Sequence, residues 1–218
     1  MRDLQPHIVL GQPFTEAVRY ALDVHGQQAR KGTTIPYAGN LFGVASLVID
    51  DGGDEAQVIS ALLHDAMEDG GGRPRLDDIQ RRFGDRVARI VDACSDSDAP
   101  DPEKKKEWLT RKREYVSHLR HLPEDCVRVS IADKLHNARA ILSDWRRDGD
   151  QLFDRFNGKK TGTLWYYGCI VNAFRSPRAV AGVGGREPRG GAGARHMTEQ
   201  AAPVAARAAL PLVSASPD

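Results

Sequence analysis

Both the fold and the chemistry of this chain are decided by one stretch, Ala61-Leu62-Leu63-His64-Asp65-Ala66-Met67-Glu68-Asp69. Its apolar residues have helical spacing, and a helix that buries Leu62 and Leu63 carries His64 and Asp65 inward with them. Burying an imidazole or a carboxylate is costly unless a partner satisfies it. The stretch therefore predicts a buried helix that leads into a polar site, and we expect a divalent metal ion to be the partner.

A second carboxylate on an apolar stripe lies far along the chain, in the segment SIADKLHN at 130–137. Asp133 belongs to the inward face of a long helical pattern, where a solvated aspartate is not expected. A metal shared with His64 and Asp65 would supply the cation that such a carboxylate needs. Two alternatives remain open at this point: Asp133 pairs with Lys134 or Arg128, and His64 is an ordinary core histidine.

Two further carboxylates, Glu68 and Asp69, follow one helical turn after His64 and Asp65, so the two pairs stack on one side of a helix. A carboxylate beside a metal-activated water can accept or orient its proton, as hydrolysis of a phosphate ester or anhydride requires. The alternative is a solvated helix end, although acidic residues at a helix C-terminus oppose the macrodipole. We interpret Glu68 and Asp69 as a catalytic pair.

Helical periodicity continues through the rest of the chain, and no stretch has a convincing strand alternation. We predict a first helix that is capped by Thr15 and followed by a stop at Gly32, and one continuous helix over 55–69. Further helices are expected near 41–49, 76–83, 85–94, 107–121, 124–150 and 163–174. The pattern predicts an all-α bundle in a single domain over residues 1–175.

The composition changes at residue 176. About half of residues 176–218 are Ala, Gly or Pro, and none is Phe, Tyr or Trp. Such a segment cannot bury enough apolar surface to offset the entropy lost on ordering. We therefore predict a disordered C-terminal tail that contributes no chemistry.

The overall composition narrows the compartment and the partners. The net charge is +1, so no global field draws the chain to nucleic acid or to a membrane. The three cysteines are far apart and form no CxxC pair, which favours a reducing compartment over a disulfide framework or a thiolate zinc site. No apolar run approaches the ~20 residues of a membrane span. We expect a cytoplasmic protein without nucleic-acid or membrane partners.

Taken together, the motifs resemble those of the HD-domain guanosine polyphosphate hydrolases, which form the hydrolase half of the RelA/SpoT proteins and their small stand-alone relatives. The matching motifs are HDxxED at 64–69, ADKLHN at 132–137, HGQQARKG at 25–32 followed by PY at 36–37, and FGDRVARIVD at 83–92. The resemblance runs from about residue 15 to residue 174. It implies an HD-domain helical bundle.

The resemblance also implies an activity, the Mn²⁺-dependent removal of the 3′-pyrophosphate from ppGpp or pppGpp, with a small-molecule nucleotide as the partner. By position, His64, Asp65 and Asp133 match three of the four metal ligands of the family. Glu68 and Asp69 match the pair that activates water and relays protons.

The implied nucleotide contacts come from two other segments. Arg30 and Lys31 match the basic pair that lines the guanine pocket, and Asn137 matches an asparagine that contacts the nucleoside. From the residues alone, Arg30 and Lys31 could equally be favourable charges at a helix C-terminus. His25 matches a family histidine that is not a ligand, and we do not expect it to bind the metal.

One position departs from the family pattern. The family's first metal ligand is a histidine in a PYxxHP-like element, and here that position is Asn40, with no proline after it. An amide oxygen can coordinate a hard cation, but it is neutral and binds Mn²⁺ or Zn²⁺ less well than imidazole does. We therefore expect a weakened site with Asn40 in place of the histidine. The alternative is a degenerate HD module that binds nucleotide with little or no turnover.

Overall fold

The computed structural model describes residues 8–96 and 106–175, and all regular structure in these ranges is helical apart from an isolated bridge between Ala29 and Pro36. The predicted all-α fold is confirmed. The predicted tail at 176–218 lies outside the described residues. The elements are α1 (Gln12–His25), α2 (Ala38–Asp50), α3 (Glu55–Leu63), α4 (Ala66–Asp69), α5 (Arg73–Phe83), α6 (Asp85–Cys94), α7 (Trp108–Leu119), α8 (Glu124–Asp148), a 3₁₀ helix (Gly149–Arg155) and α9 (Lys159–Arg175).

The core is built around α3, in which seven of nine residues are buried. This helix packs against α1, α2, α6 and α8. It starts with a capping box: the Asp54 side chain accepts from the Gln57 N–H at 3.1 Å, and the Gln57 side chain accepts from the Asp54 N–H at 3.1 Å. A cap of this kind typically stabilises a helix by ~1 kcal/mol. The capped start fixes a helix whose other end lies inside the bundle.

The longest helix, α8, has 25 residues and packs against α2, α3, α6 and the 3₁₀ helix. The predicted stripe is confirmed, because Ile131, Leu135 and Ala138 are buried and Asp133 is buried among them. Since α8 crosses α3, the buried carboxylate of Asp133 faces the end of α3. This crossing positions the candidate site.

The first helix differs from the prediction at both ends. It begins at Gln12, after a glycine and with a proline in its first turn, rather than after Thr15. Proline is well tolerated there because a first-turn N–H has no intrahelical acceptor. The helix ends at His25, so Arg30 and Lys31 lie in a turn beyond it. Their interpretation as capping charges at a helix C-terminus is wrong.

Among the helices of the described residues, none is both long and apolar enough to cross a membrane. Cys94, Cys126 and Cys169 are all unpaired, and the first two are buried.

Candidate metal centre and its acidic neighbours

The HDxxED motif does not form part of one continuous helix, so the prediction of a single helix over 55–69 is wrong. Helix α3 ends at Leu63, Asp65 has φ −100° and ψ −1°, and α4 starts at Ala66. The cause is local: His64 Nδ1 donates to the Ala61 carbonyl oxygen at 2.8 Å, which the Asp65 N–H would reach in an unbroken helix. Adjacent helical residues diverge by about 100°. The break therefore lets His64 and Asp65 face one point.

Three of the predicted metal ligands meet between the end of α3 and the middle of α8. His64 Nε2 lies 3.1 Å from Asp65 Oδ2 and 3.5 Å from Asp133 Oδ1. His64 is 1% exposed and Asp133 is 3% exposed. Of the two alternative pairings of Asp133, the one with Lys134 is present, whereas the one with Arg128 is wrong, because Arg128 forms its ion pair with Asp51 at 2.9 Å. The structure thus brings the three side chains together as the sequence predicted.

The hydrogen bonding of His64 suits it to coordinate a metal. Its Nδ1 donates to the backbone, which leaves Nε2 facing the two carboxylates as the nitrogen that would bind a metal after losing its proton. Nε2 is buried and has no hydrogen-bond partner, although two carboxylates stand beside it. Burial disfavours the charged imidazole, but the carboxylates of Asp65 and Asp133 outweigh burial and raise the pKa of His64 well above its usual value. The same negative field would act on any cation placed there.

The carboxylate oxygens of the site are turned toward protein donors. Asp133 accepts from Asn137 Nδ2 at 2.5 Å and also from the Lys134 ammonium group. Burial opposes ionisation of Asp133, but Lys134 and His64 outweigh it and lower the pKa of the carboxyl. In residues 8–96 and 106–175, no three His, Cys, Asp or Glu side chains are already arranged so that they could hold a metal ion. The fit to a metal therefore rests on the donor set and on the unpartnered His64 nitrogen.

Tyr37 is part of the site, although the sequence analysis did not single it out. Its hydroxyl donates to Asp65 Oδ2. Burial, and then the negative charge of Asp65, raise the pKa of Tyr37, so the phenol keeps its proton and remains a donor. The only signal in the sequence was the PY pair just before Asn40.

Asn40 is 1% exposed on α2, and a chain of hydrogen bonds fixes the orientation of its amide. An ionised Asp133 can only accept, so Asn137 turns its amide nitrogen to Asp133 and its oxygen to Asn40. Asn40 Nδ2 donates to that oxygen at 2.9 Å and lies 3.1 Å from His136 Nδ1. Asn40 Oδ1 is left buried without a hydrogen-bond partner. The side chain therefore keeps one oxygen available as a hard ligand.

Glu68 faces a network of charges from α7 that the sequence did not reveal. Arg111 Nη1 lies 3.7 Å from Glu68 Oε1. Arg111 and Lys112 also form ion pairs with Asp96, which follows α6. Burial opposes ionisation of Asp96, but Lys112 and Arg111 outweigh it and lower the pKa of this carboxyl to about 2. The ion pair with Asp96, whose side chain is buried, thus holds the Arg111 guanidinium group beside Glu68.

Asp69 is exposed, and its carboxylate is held by a residue from the other side of the site. Gln28 Nε2 donates to Asp69 Oδ2 at 3.0 Å. The two residues are 41 positions apart, and no periodicity in the sequence connects them. Gln28 was therefore not predicted as a contact.

The predicted nucleotide contacts are divided between two places. Burial lowers the pKa of His136, and the positive charge of Arg30 lowers it further. The charge of Arg30 is thus felt at His136, whose ring lies 3.1 Å from the Asn40 amide. Lys31 points elsewhere, because its Nζ donates to Asn157 Oδ1 at 3.2 Å. The structure brings Arg30 toward the Asn137 side of the site and Lys31 toward the start of α9.

A sequence model of the HD domain family matches residues 17–163. The chain is 35% identical over 129 residues to the guanosine-3′,5′-bis(diphosphate) 3′-pyrophosphohydrolase MESH1 of Xenopus tropicalis, a match that covers 58% of this chain and 68% of that relative. The corresponding human protein is 36% identical over 131 residues, with the same coverage of 58% and 68%.

A solved structure supports the fold. It is described as a metazoan ortholog of SpoT that hydrolyses ppGpp, and it matches with a TM-score of 0.60 at 21% identity. The match covers 87% of this chain and 96% of that structure. At this level of identity the likeness concerns the helical architecture alone.

Proposed function

Since the chain belongs to the HD domain family, we propose that it is a divalent-metal-dependent hydrolase that removes the 3′-pyrophosphate from ppGpp or a related guanosine polyphosphate. The MESH1 relatives are named for this reaction. The observation that carries the proposal is the buried His64 Nε2, which has no hydrogen-bond partner and lies 3.1 Å from a carboxylate oxygen of Asp65 and 3.5 Å from one of Asp133.

The metal would be held by His64, Asp65 and Asp133, with Asn40 Oδ1 as the fourth protein donor. One imidazole, two carboxylates and one amide oxygen form an oxygen-rich set that suits Mn²⁺. When bound, such an ion supplies Lewis-acid chemistry, which makes water nucleophilic near neutral pH and offsets the charge of phosphate oxygens. Tyr37 and Lys134 orient the two carboxylates from outside.

Glu68 and Asp69 would handle the protons of the reaction. Both follow the metal ligands directly along the chain and belong to α4. Glu68 lies 3.7 Å from the Arg111 guanidinium group, and an ionised carboxylate at this position would accept a proton from water. Asp69 lies on the solvent side, where an exposed carboxylate can exchange protons with bulk water.

The nucleotide would bind across the turn that follows α1. Arg30 offers a planar guanidinium group for stacking on a base, and Asn137 has its amide fixed by Asp133 and Asn40. Lys31 and its partner Asn157 would close the outer side of this pocket. We also propose a cytoplasmic location, because all three cysteines are unpaired.

We do not propose the degenerate binding module. The replacement of histidine by Asn40 keeps an unpartnered oxygen donor in place, and the acidic residues of the site are all present.

The test is pyrophosphate release from ppGpp by the full chain with Mn²⁺, compared with Asp65→Ala and with the matched control Asp144→Asn, whose carboxylate pairs with Arg147 and Arg155 far along α8. We expect release by the wild type and by the control, and none by Asp65→Ala. Undiminished release by Asp65→Ala would contradict the metal mechanism. Release from other nucleotides, with none from ppGpp, would contradict the substrate.

A further inference from the structure

Gln28 connects a buried histidine to one of the two candidate proton-handling residues. His25 Nδ1 lies 2.7 Å from Gln28 Oε1, and Gln28 Nε2 donates to Asp69 Oδ2 at 3.0 Å. His25 is 1% exposed. One amide group thus ties the buried end of α1 to the exposed end of α4.

The chemistry of the three groups permits only one arrangement when Asp69 is ionised. A carboxylate accepts hydrogen bonds and does not donate them, so the Gln28 amide must present its nitrogen to Asp69 and its oxygen to His25. An amide oxygen is also an acceptor, and Nδ1 of His25 must therefore carry the proton. Consistent with this tautomer, His25 Nε2 is buried and has no hydrogen-bond partner.

We propose that Gln28 is a positioning residue for Asp69, and that His25 fixes the orientation of the Gln28 amide; this rests on the proposed function. Asp69 ends a helix of only four residues and is exposed, so its carboxylate has little else to hold it. The bond to Gln28 occupies Oδ2 and leaves Oδ1 for the reacting water or leaving group. A misplacement of about 1 Å at a reacting group can lower a rate by ~10²-fold.

The Gln28 side chain is not needed to hold the turn in which it lies. The Gln28 N–H donates to the His25 carbonyl oxygen at 2.9 Å, and the Gln28 carbonyl oxygen accepts from the Tyr37 N–H at 2.8 Å. Because the main chain makes both bonds, removing the side-chain amide leaves the turn intact. A purely structural role would instead appear as lost stability.

The kinetic test compares Gln28→Leu, which keeps the size of the side chain but removes the amide, with Gln27→Leu at the exposed neighbouring position. We expect Gln28→Leu to lower kcat by ~10–100-fold, as for other residues that support a catalytic group, with KM and Mn²⁺ affinity unchanged. Gln27→Leu should resemble the wild type. An unchanged kcat in Gln28→Leu would overturn the proposal, as would a loss confined to KM or to stability.

Two substitutions of His25 sharpen the test. The amide nitrogen of Asn stands close to the Nδ1 position of histidine, whereas that of Gln stands close to the Nε2 position. We expect His25→Asn to retain kcat and His25→Gln to lose it as Gln28→Leu does. The reverse order would overturn the role assigned to His25.

A spectroscopic measurement separates this proposal from the proposed function. In protein with ¹⁵N-labelled histidine, we expect His25, assigned by its absence in His25→Asn, to be protonated at Nδ1, and we expect this tautomer to be lost in Gln28→Leu. If the wild type does not hydrolyse ppGpp, the proposed function fails while this readout still tests the hydrogen-bonded chain. Protonation of His25 at Nε2 in the wild type would overturn the proposal.

Discussion

Helix α8 carries two acidic clusters, one near its middle and one near its C-terminal end, that differ in how their charge is balanced. Near the C-terminal end, Asp144 and Asp148 meet two guanidinium groups: Arg147 contacts them at 3.0 and 2.8 Å, and Arg155 at 3.4 and 2.7 Å. In the N-terminal half, Asp133 and the carboxylate facing it across the site meet a single ammonium group and a histidine.

We infer from the difference that the shortage of cations distinguishes the candidate site, since both clusters are acidic. Two carboxylates against two arginines form a closed set of ion pairs. Two carboxylates against Lys134 leave one negative charge in excess when His64 donates its Nε2 lone pair, and these groups are largely removed from water. A buried excess of negative charge is costly without a cation. We therefore expect a divalent ion to add more to stability at this cluster than at the cluster near the C-terminal end of α8.

The largest effect that we expect comes from removing one carboxylate from the cluster near the middle of α8. The matched control removes one carboxylate from the cluster near the C-terminal end. Asp133→Asn should abolish measurable ppGpp hydrolysis, a loss beyond the ~10–100-fold typical of residues that only support a metal ligand. Asp144→Asn should leave kcat within a factor of two. Steady-state rates of pyrophosphate release measure both variants. Equal losses of kcat in the two variants would contradict the distinction between the two clusters.

The second prediction concerns withdrawal of the metal. A ligand that binds only the folded state at 100 times its Kd stabilises it by ~2.7 kcal/mol, which corresponds to ~5–10 °C in Tm for a domain of this size. We expect added Mn²⁺ to raise the Tm of the wild type and of Asp144→Asn, and chelation to reverse the rise. Differential scanning fluorimetry would measure it, and a rise that persists in Asp133→Asn would locate the metal elsewhere.

The third prediction uses two glycines of α2. A Cβ added at Gly43 would overlap the imidazole ring of His136, whereas one added at Gly39 would meet nothing within 4 Å. We expect Gly43→Ala to lower the free energy of unfolding by ~1–3 kcal/mol through overpacking. Gly39→Ala should raise it by up to ~0.5–1 kcal/mol, because alanine is the better helix former. Urea titrations of both variants give the sign, and equal effects would show that His136 does not pack closely on α2.

The smallest effect that we expect concerns Asn40, the one uncharged side chain besides His64 among the candidate metal ligands. Replacing the Asn40 amide by imidazole should raise affinity for Zn²⁺ more than affinity for Mn²⁺, because imidazole is the softer donor. We expect a relative gain of ~10-fold for Zn²⁺ over Mn²⁺ in Asn40→His, equivalent to ~1.4 kcal/mol. Titration calorimetry with each metal measures it. Equal gains for both metals would contradict the preference for the softer ion, and unchanged affinity for both would mean that residue 40 does not contact the ion.

The fold and the proximity of His64, Asp65 and Asp133 followed from the sequence because they depend on local patterns. The apolar stripe of α8 carried Asp133 inward, and the buried end of α3 carried His64 and Asp65, so hydrophobic periodicity was enough to bring them together. The break after Leu63 did not follow, since it depends on a side chain that bonds to its own backbone.

The contacts around the two catalytic candidates could not be predicted for a different reason. The partner of Glu68, Arg111, is on α7, and the partner of Asp69 lies 41 residues earlier in the chain. Each pair joins polar residues of different elements, and polar residues carry no periodic signal that fixes their packing. The orientation of Asn40 likewise depends on Asn137, 97 positions away.

The turn between α1 and α2 has a consequence for how this site can diversify. A hydrogen bond from the Tyr37 N–H to the Gln28 carbonyl oxygen closes the two ends of this turn. The side chain of Tyr37 donates to Asp65, and that of Gln28 donates to Asp69. The tip of the turn carries Arg30 and Lys31. The residues that would recognise a nucleotide therefore form the loop, and those that support the chemistry form its stem. Substitutions at the tip can alter ligand choice while the stem keeps its alignment, so recognition and reactivity are free to evolve at separate rates.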